Sequence, residues 1–122
     1  MSPRIAVIGT GGTISTPTRN DLDVWEYGEY SKPMEVDELL GRFSRVLGGY
    51  ELLPVRFRAI DSVDMNPPLW LELHRHITAT VARDDSIVGV VVTHGTATLE
   101  ETAYFLHLTL KVQVPVILVG YQ

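Results

Sequence analysis

The stretch that decides the fold is "IVGVVVTHGTATLEETAYFL", Ile87 to Leu106. Ile87 to Val92 is a continuous apolar run of strand length, as expected of a strand buried on both faces. From Thr98 to Leu110 the pattern changes to helical, with Leu99, Ala103, Leu106 and Leu110 on the inner side. The turn between them carries His94, Gly95, Thr96 and Thr98, so polar groups gather where a strand hands over to a helix.

Working outward, the same alternation repeats. Val114 to Val119 reads as a fourth strand, and Arg4 to Ile8 as a first, stopped by Gly9. Glu35 to Leu47 places Val36, Leu39, Leu40, Phe43, Val46 and Leu47 on one helical face. Ser31 and Pro33 are suitable starters for that helix and Gly48-Gly49 a suitable stop. Glu51 to Ile60 alternates as a strand, and Pro54 moves it towards an edge or a bulge. Asp61 to Pro68 is a turn cluster, and Pro68 to Arg83 a helix with Leu69, Leu73, Ile77 and Val81 spaced by four. The order β-α-β-α-β-α-β with short connections predicts an α/β fold: a parallel sheet with helices on both faces, a Rossmann/flavodoxin-like three-layer arrangement. Ligands bind such sheets beyond the carboxyl ends of the strands. That rule selects three segments: Gly9 to Arg19, Asp61 to Asn66 and Thr93 to Thr98.

The chain has 122 residues, 45% of them apolar, enough for one domain with a core. Its net charge of −5 and the lack of a basic run argue against a nucleic-acid partner. There is no cysteine, so disulfides and thiolate metal sites are excluded. No signal peptide or membrane-spanning run is evident, so a cytoplasmic protein without a membrane partner is expected. His74 and His76 are two residues apart on a helix and share no face, so they make no metal pair, and no metal is expected.

The first candidate segment is "GTGGTIST", Gly9 to Thr16. Its glycines permit a tight turn and close approach of a ligand. Position 14 is Ile, so the dinucleotide fingerprint is incomplete, and no Gly-Lys-Ser/Thr follows to make a phosphate loop. The local string leaves open a turn of purely geometric purpose. The polar stretch Pro17 to Lys32 is long for a compact domain, and its Tyr27 and Tyr30 could close over a ligand or pack on the surface. In "DSVDMNP", Asn66 is the natural helix cap, while Ser62 and Asp64 are open between capping and binding. In the third segment Thr98-Leu-Glu-Glu101 fits a capping box, which makes Thr98 structural. Thr96 lies in the turn before it, where amides at the helix start can polarise a bound anionic group. His94 is a base by residue type. A His after a buried strand is more often a neutral residue held by backbone hydrogen bonds, and that reading is favoured.

Taken together, "GTGGTIS", "DSVDMNP" and "VVTHGTATLEETAYFL" resemble the bacterial-type L-asparaginase/glutaminase family over nearly the whole chain, Ile5 to Gly120. The resemblance implies a longer protein, with residues 1–122 as its N-terminal α/β domain and a smaller C-terminal domain absent. It implies hydrolysis of the side-chain amide of asparagine, or glutamine, with release of ammonia, no cofactor, and assembly as a dimer or tetramer. It assigns the nucleophile to Thr13, a second catalytic threonine to Thr96 and the covering tyrosine to Tyr27, with Tyr30 as the alternative. Ser62 would hold the substrate carboxylate with nearby backbone amides, Gly95 would belong to the binding turn, and Thr10 would support the first turn. An acyl-enzyme ester on the nucleophile would then be cleaved by water.

Two departures from the family pattern stand out. The motif His-Gly-Thr-Asp-Thr has Ala97 in place of Asp. Either another carboxylate, for which Asp64 is the candidate, serves the substrate ammonium, or the substrate lacks a free α-amino group, or activity is lost. The family's catalytic lysine has no counterpart: the only lysines are Lys32 and Lys111, and Lys111 suits the end of a helix. These departures keep a second reading alive, an impaired or truncated amino-acid-binding domain. A nucleotide-binding domain rests on the glycine-rich loop alone and is the weakest of the three.

Overall fold

A computed structural model of the chain describes residues 2–18, 32–43 and 49–121. Seven main elements alternate: β1 (Arg4–Gly11), α1 (Val36–Phe43), β2 (Glu51–Ile60), α2 (Pro67–Arg83), β3 (Ile87–Thr93), α3 (Leu99–Thr109) and β4 (Val116–Val119). The strands form one parallel sheet in the order β2-β1-β3-β4. This is the α/β order read from the sequence, and the chain reverses direction across the sheet between β2 and β3, on either side of β1.

The register sorts the core. Ala6 lies opposite Leu53 and Val90, and Ile8 opposite Val55 and Val92. Ala6, Ile8, Val90 and Val92 are buried in one cluster with Leu73 and Ile77 of α2 and Leu106 of α3. Side chains alternate along a strand, so Val7 and Gly9 point to the other face. There a Cβ on Gly9 would stand 2.6 Å from the Val36 Cβ, which shows how closely α1 rides on β1. Helices therefore lie on both faces, with α1 over β1 and β2, while Ile117 and Val119 of β4 stay exposed on its side of the sheet. β2 is an edge strand, as Pro54 requires: a residue without an N–H is tolerated where only one neighbour is paired.

Three local readings change. Gly9 does not stop β1; the strand continues through Gly11 because Gly9 keeps pairing with both neighbours. The helix α2 starts at Pro67, with Asn66 as its cap, its side chain accepting the Leu69 amide at 3.1 Å. The capping box at α3 does not form. Thr98 occupies the cap position, but its hydroxyl donates to the Ser62 carbonyl at 2.8 Å instead of serving the helix. On α3 the buried residues are Thr102 and Leu106. Leu99, Ala103 and Leu110 line a groove of about 450 Å³ beside β4.

Candidate active site

All three segments chosen by the strand-end rule meet at the carboxyl ends of β1, β2 and β3. Two glycines bring the first into place. Gly11 and Gly12 have φ of 95° and 82°, a region closed to most side chains. The Gly12 amide donates to the Ile60 carbonyl at 3.0 Å, tying the end of β1 to the end of β2. The chain then makes a short 3-10 turn over Thr13–Ser15. The Ser15 and Thr16 hydroxyls both donate to the Gly12 carbonyl, at 3.1 and 2.8 Å, so these two side chains stiffen the turn. Thr13, the first residue of the turn, is half-buried.

Ser62 fixes the second segment to the third. It is buried, and its hydroxyl oxygen accepts the Ala97 amide at 3.1 Å. Its carbonyl accepts the Thr98 hydroxyl. Gly95 completes the junction. A Cβ there would lie 2.5 Å from the Ser62 hydroxyl oxygen and 3.2 Å from the Gly12 Cα. A Cβ on Gly12 would in turn lie 2.4 Å from the Gly95 Cα. The first and third turns touch through backbone and the second through the Ser62 side chain, with no room for even a methyl group.

What they enclose is a cleft of about 300 Å³. The first turn contributes Gly12, Thr13 and Thr16, the second Asp61, Ser62 and Val63, and the third Gly95, Thr96 and Ala97. Thr13, Thr96, Ser62 and Gly95, chosen from sequence, are thus brought together. Among the described residues no hydrogen bond engages the Thr13 or Thr96 hydroxyl, so both are available to a bound molecule.

Other residues stand apart. Thr10 is buried, and its hydroxyl donates to the Thr93 carbonyl at 2.7 Å, clamping β1 to β3 beneath the turn. Asp64 is exposed and does not line the cleft. Asp61, three residues earlier, does, and is the charged residue of the lining. Tyr27 and Tyr30 lie outside the described residues. Thr16 and Asp61 escaped the sequence reading. Asp61 had a signal, since it is the first residue after β2. Among the described residues no cluster of three His, Asp or Glu side chains could hold a metal ion.

His94 sits behind the cleft and is almost wholly buried. Burial holds its ring below the ordinary imidazole range, against the raising effects of the Gly95 backbone bond and of Glu101. It is the neutral, backbone-held histidine that its position after a buried strand implied.

The family model described as asparaginase, N-terminal, matches residues 4–122. The chain belongs to the asparaginase family. A probable periplasmic L-asparaginase of Haemophilus influenzae is 37% identical over 119 residues, covering 97% of this chain and 32% of its own length. L-asparaginase 2 of Escherichia coli is 35% identical over 122 residues, with 97% and 32% covered. The crystal structure of a probable cytoplasmic L-asparaginase from Campylobacter jejuni superposes with a TM-score of 0.80 at 37% identity, over 98% of this chain and 35% of that one. The chain spans about a third of the length of the curated relatives it matches. Within the family, the glycine-rich turn, the Ser62 turn and the His94-Gly95-Thr96 turn therefore stand on the α/β fold that these proteins share.

Proposed function

We propose that this chain carries the amide-binding, nucleophile-bearing part of an asparaginase-type amidohydrolase, with asparagine as the first substrate to consider. The observation that carries the reading is the presence of two unengaged threonine hydroxyls, Thr13 and Thr96, from separate turns of one cleft beside Ser62. A hydroxyl attacks an amide carbon only when positioned and relieved of its proton. In this reading the Thr13 oxygen bonds to the side-chain amide carbon, and its proton passes to the leaving nitrogen, which departs as ammonia. Water then attacks the resulting ester, breaks the Thr13 oxygen–carbon bond and returns the proton to Thr13. Thr96 relays a proton in these steps. Ser62 receives the substrate carboxylate and Gly95 gives it close backbone approach; the resemblance assigns the covering tyrosine to Tyr27, with Tyr30 as the alternative. The longer protein, its smaller second domain and a homodimeric or tetrameric assembly belong to the same proposal.

A second reading is favoured by Ala97, which offers no carboxylate to a substrate ammonium. In it the cleft binds an amino acid without turning it over. Calorimetry with asparagine, aspartate and glutamine, run beside an ammonia assay, separates the two: heat with ammonia supports the hydrolase, and heat without ammonia supports the binding domain. A cytoplasmic location is also proposed. The name of the Campylobacter protein supports it, and that of the Haemophilus protein opposes it. Among the described residues no helix is long and apolar enough to cross a membrane. Cell fractionation decides the location.

A further inference from the structure

Behind the cleft a line of groups, half-buried at Trp70 and buried at Thr102 and His94, connects α2, α3 and the end of β3. The Trp70 indole nitrogen lies 2.9 Å from the Thr102 hydroxyl oxygen. That hydroxyl lies 2.9 Å from His94 Nε2. His94 Nδ1 lies 2.6 Å from the Gly95 carbonyl oxygen. Thr102 and His94 are both almost completely shielded from water.

Donor chemistry gives this line one direction. A carbonyl oxygen only accepts, so His94 Nδ1 carries the proton. The ring being neutral, Nε2 is bare and accepts from the Thr102 hydroxyl. An indole N–H only donates, so Trp70 donates to the Thr102 oxygen. Every hydrogen points the same way, from Trp70 through Thr102 and His94 to Gly95. The opposite tautomer would set two lone pairs against each other at His94 Nδ1 and the Gly95 carbonyl.

Thr102 is also diverted from its default. A mid-helix threonine usually turns its hydroxyl to the carbonyl four residues back. Here the Thr98 carbonyl takes the Thr102 amide, and the hydroxyl goes to His94. The indole is itself held by stacking on Phe105, with ring centres 5.6 Å apart. The line ends on the one peptide that links Gly95 to Thr96. A planar trans peptide with its carbonyl held on the buried ring must present the Thr96 N–H on the opposite side. Gly95 in turn packs on Gly12 and Ser62 with no free space.

We infer that Trp70, Thr102 and His94 form a directional hydrogen-bond relay that positions the Gly95–Thr96 peptide, and through Gly95 the Gly12–Thr13 turn, for chemistry in the cleft. His94 acts as a positioning residue with a fixed tautomer and not as a base. The inference rests on the amidohydrolase reading for its effect on turnover, but its geometry is testable without it.

The experiment uses the protein expressed from its complete reading frame, with histidine labelled by ¹⁵N, and compares it with Thr102→Val, Thr102→Ser and Trp70→Phe. Ring-nitrogen resonances report the tautomer, and asparagine hydrolysis reports kcat and KM. The expected wild-type ring has its proton on Nδ1 and a hydrogen-bonded, bare Nε2. Thr102→Val moves the Nε2 resonance downfield and lowers kcat by about 10- to 100-fold, with KM changed by less than about threefold. Thr102→Ser restores both, and Trp70→Phe gives a smaller change of the same kind. A wild-type proton on Nε2 overturns the relay, as does a Thr102→Val protein with an unmoved ring and normal kcat. Should the valine variant fail to fold, Thr102→Ser and Trp70→Phe carry the test by the same signals. If the wild type releases no ammonia, the amidohydrolase reading falls, and the ring resonances alone decide the relay: a shift in Thr102→Val reversed in Thr102→Ser upholds it, and no shift overturns it.

Discussion

The Ala97 amide donates to the Ser62 hydroxyl across 3.1 Å, joining residues 35 apart in the chain. The Thr98 hydroxyl returns a bond to the Ser62 carbonyl. Ser62 is therefore both a cleft residue and the tie between two turns. Ser62→Ala leaves a partly buried amide without its acceptor, which costs about 1–3 kcal/mol. Chemical denaturation is expected to show that loss. In the hydrolase reading KM for asparagine also rises, because the hydroxyl that receives the substrate carboxylate is gone. A variant as stable as the wild type would show that the Ser62–Ala97 bond contributes nothing.

Gly95→Ala tests the close approach of the turns. The new methyl carbon would stand 2.5 Å from the Ser62 oxygen and 3.2 Å from the Gly12 Cα. One neighbour is a short side chain and the other is backbone, so little can yield. Overpacking of this kind costs about 1–3 kcal/mol, and turnover should fall with stability. Gly41→Ala is the control, since nothing lies within 4 Å of its Cβ position. Equal melting temperatures for the two variants would contradict the interlocked turns.

His94 sets a pH dependence. Its ring is held below the ordinary imidazole value of 6.5 mainly by burial. The folded state then resists protonation more than the unfolded chain. Its contribution to stability is complete above the unfolded value and is lost as pH falls from 6.5 towards the folded value. For one proton the slope reaches at most about 1.4 kcal/mol per pH unit. Unfolding midpoints measured between pH 7.5 and 5 are expected to decline in the wild type and to decline less in His94→Gln. Stability that rises on acidification through this range would mean that the ring is charged in the folded state.

Ala97→Asp tests what the third turn lacks. Ala97 is exposed on the cleft, and its backbone amide is already committed to Ser62, so a longer side chain can enter without breaking that bond. If the substrate carries a free ammonium, the new carboxylate should strengthen its binding by about 2 kcal/mol, roughly 30-fold in KM. An unchanged KM for asparagine would show that Asp61 or another group already meets that charge, or that the substrate has no ammonium.

The regular elements were legible because burial writes a period into the sequence. Ile87 to Val92 is apolar and forms the inner strand β3, although Val88 is exposed and the strand is not buried on both faces throughout, and Leu73 and Ile77 mark the inner face of α2. The strand-end rule then found all three turns of the cleft. What the sequence hid were partnerships between distant segments. Thr98 looked like a capping box, because nothing local reveals that the Ser62 carbonyl lies within reach of its hydroxyl. Thr102, the most buried residue of α3, is polar and invisible to hydrophobic periodicity, and its place follows from His94 and Trp70. The sequence reading singles out Asp64, whereas Asp61, which directly follows β2, is the carboxylate that faces the cleft. The single turn over Ser62–Asp64 carries Asp64 outward, a rotation that composition does not encode.

In the proposed function the Thr13 hydroxyl is the nucleophile of an amide-hydrolysing cleft. Ammonia release from asparagine by the protein expressed from its complete reading frame, beside Thr13→Ala with its fold verified, decides this role. Release by the wild type and a loss of about a thousandfold or more in the variant are expected. Release at the wild-type rate from Thr13→Ala, or none from either protein, would contradict it.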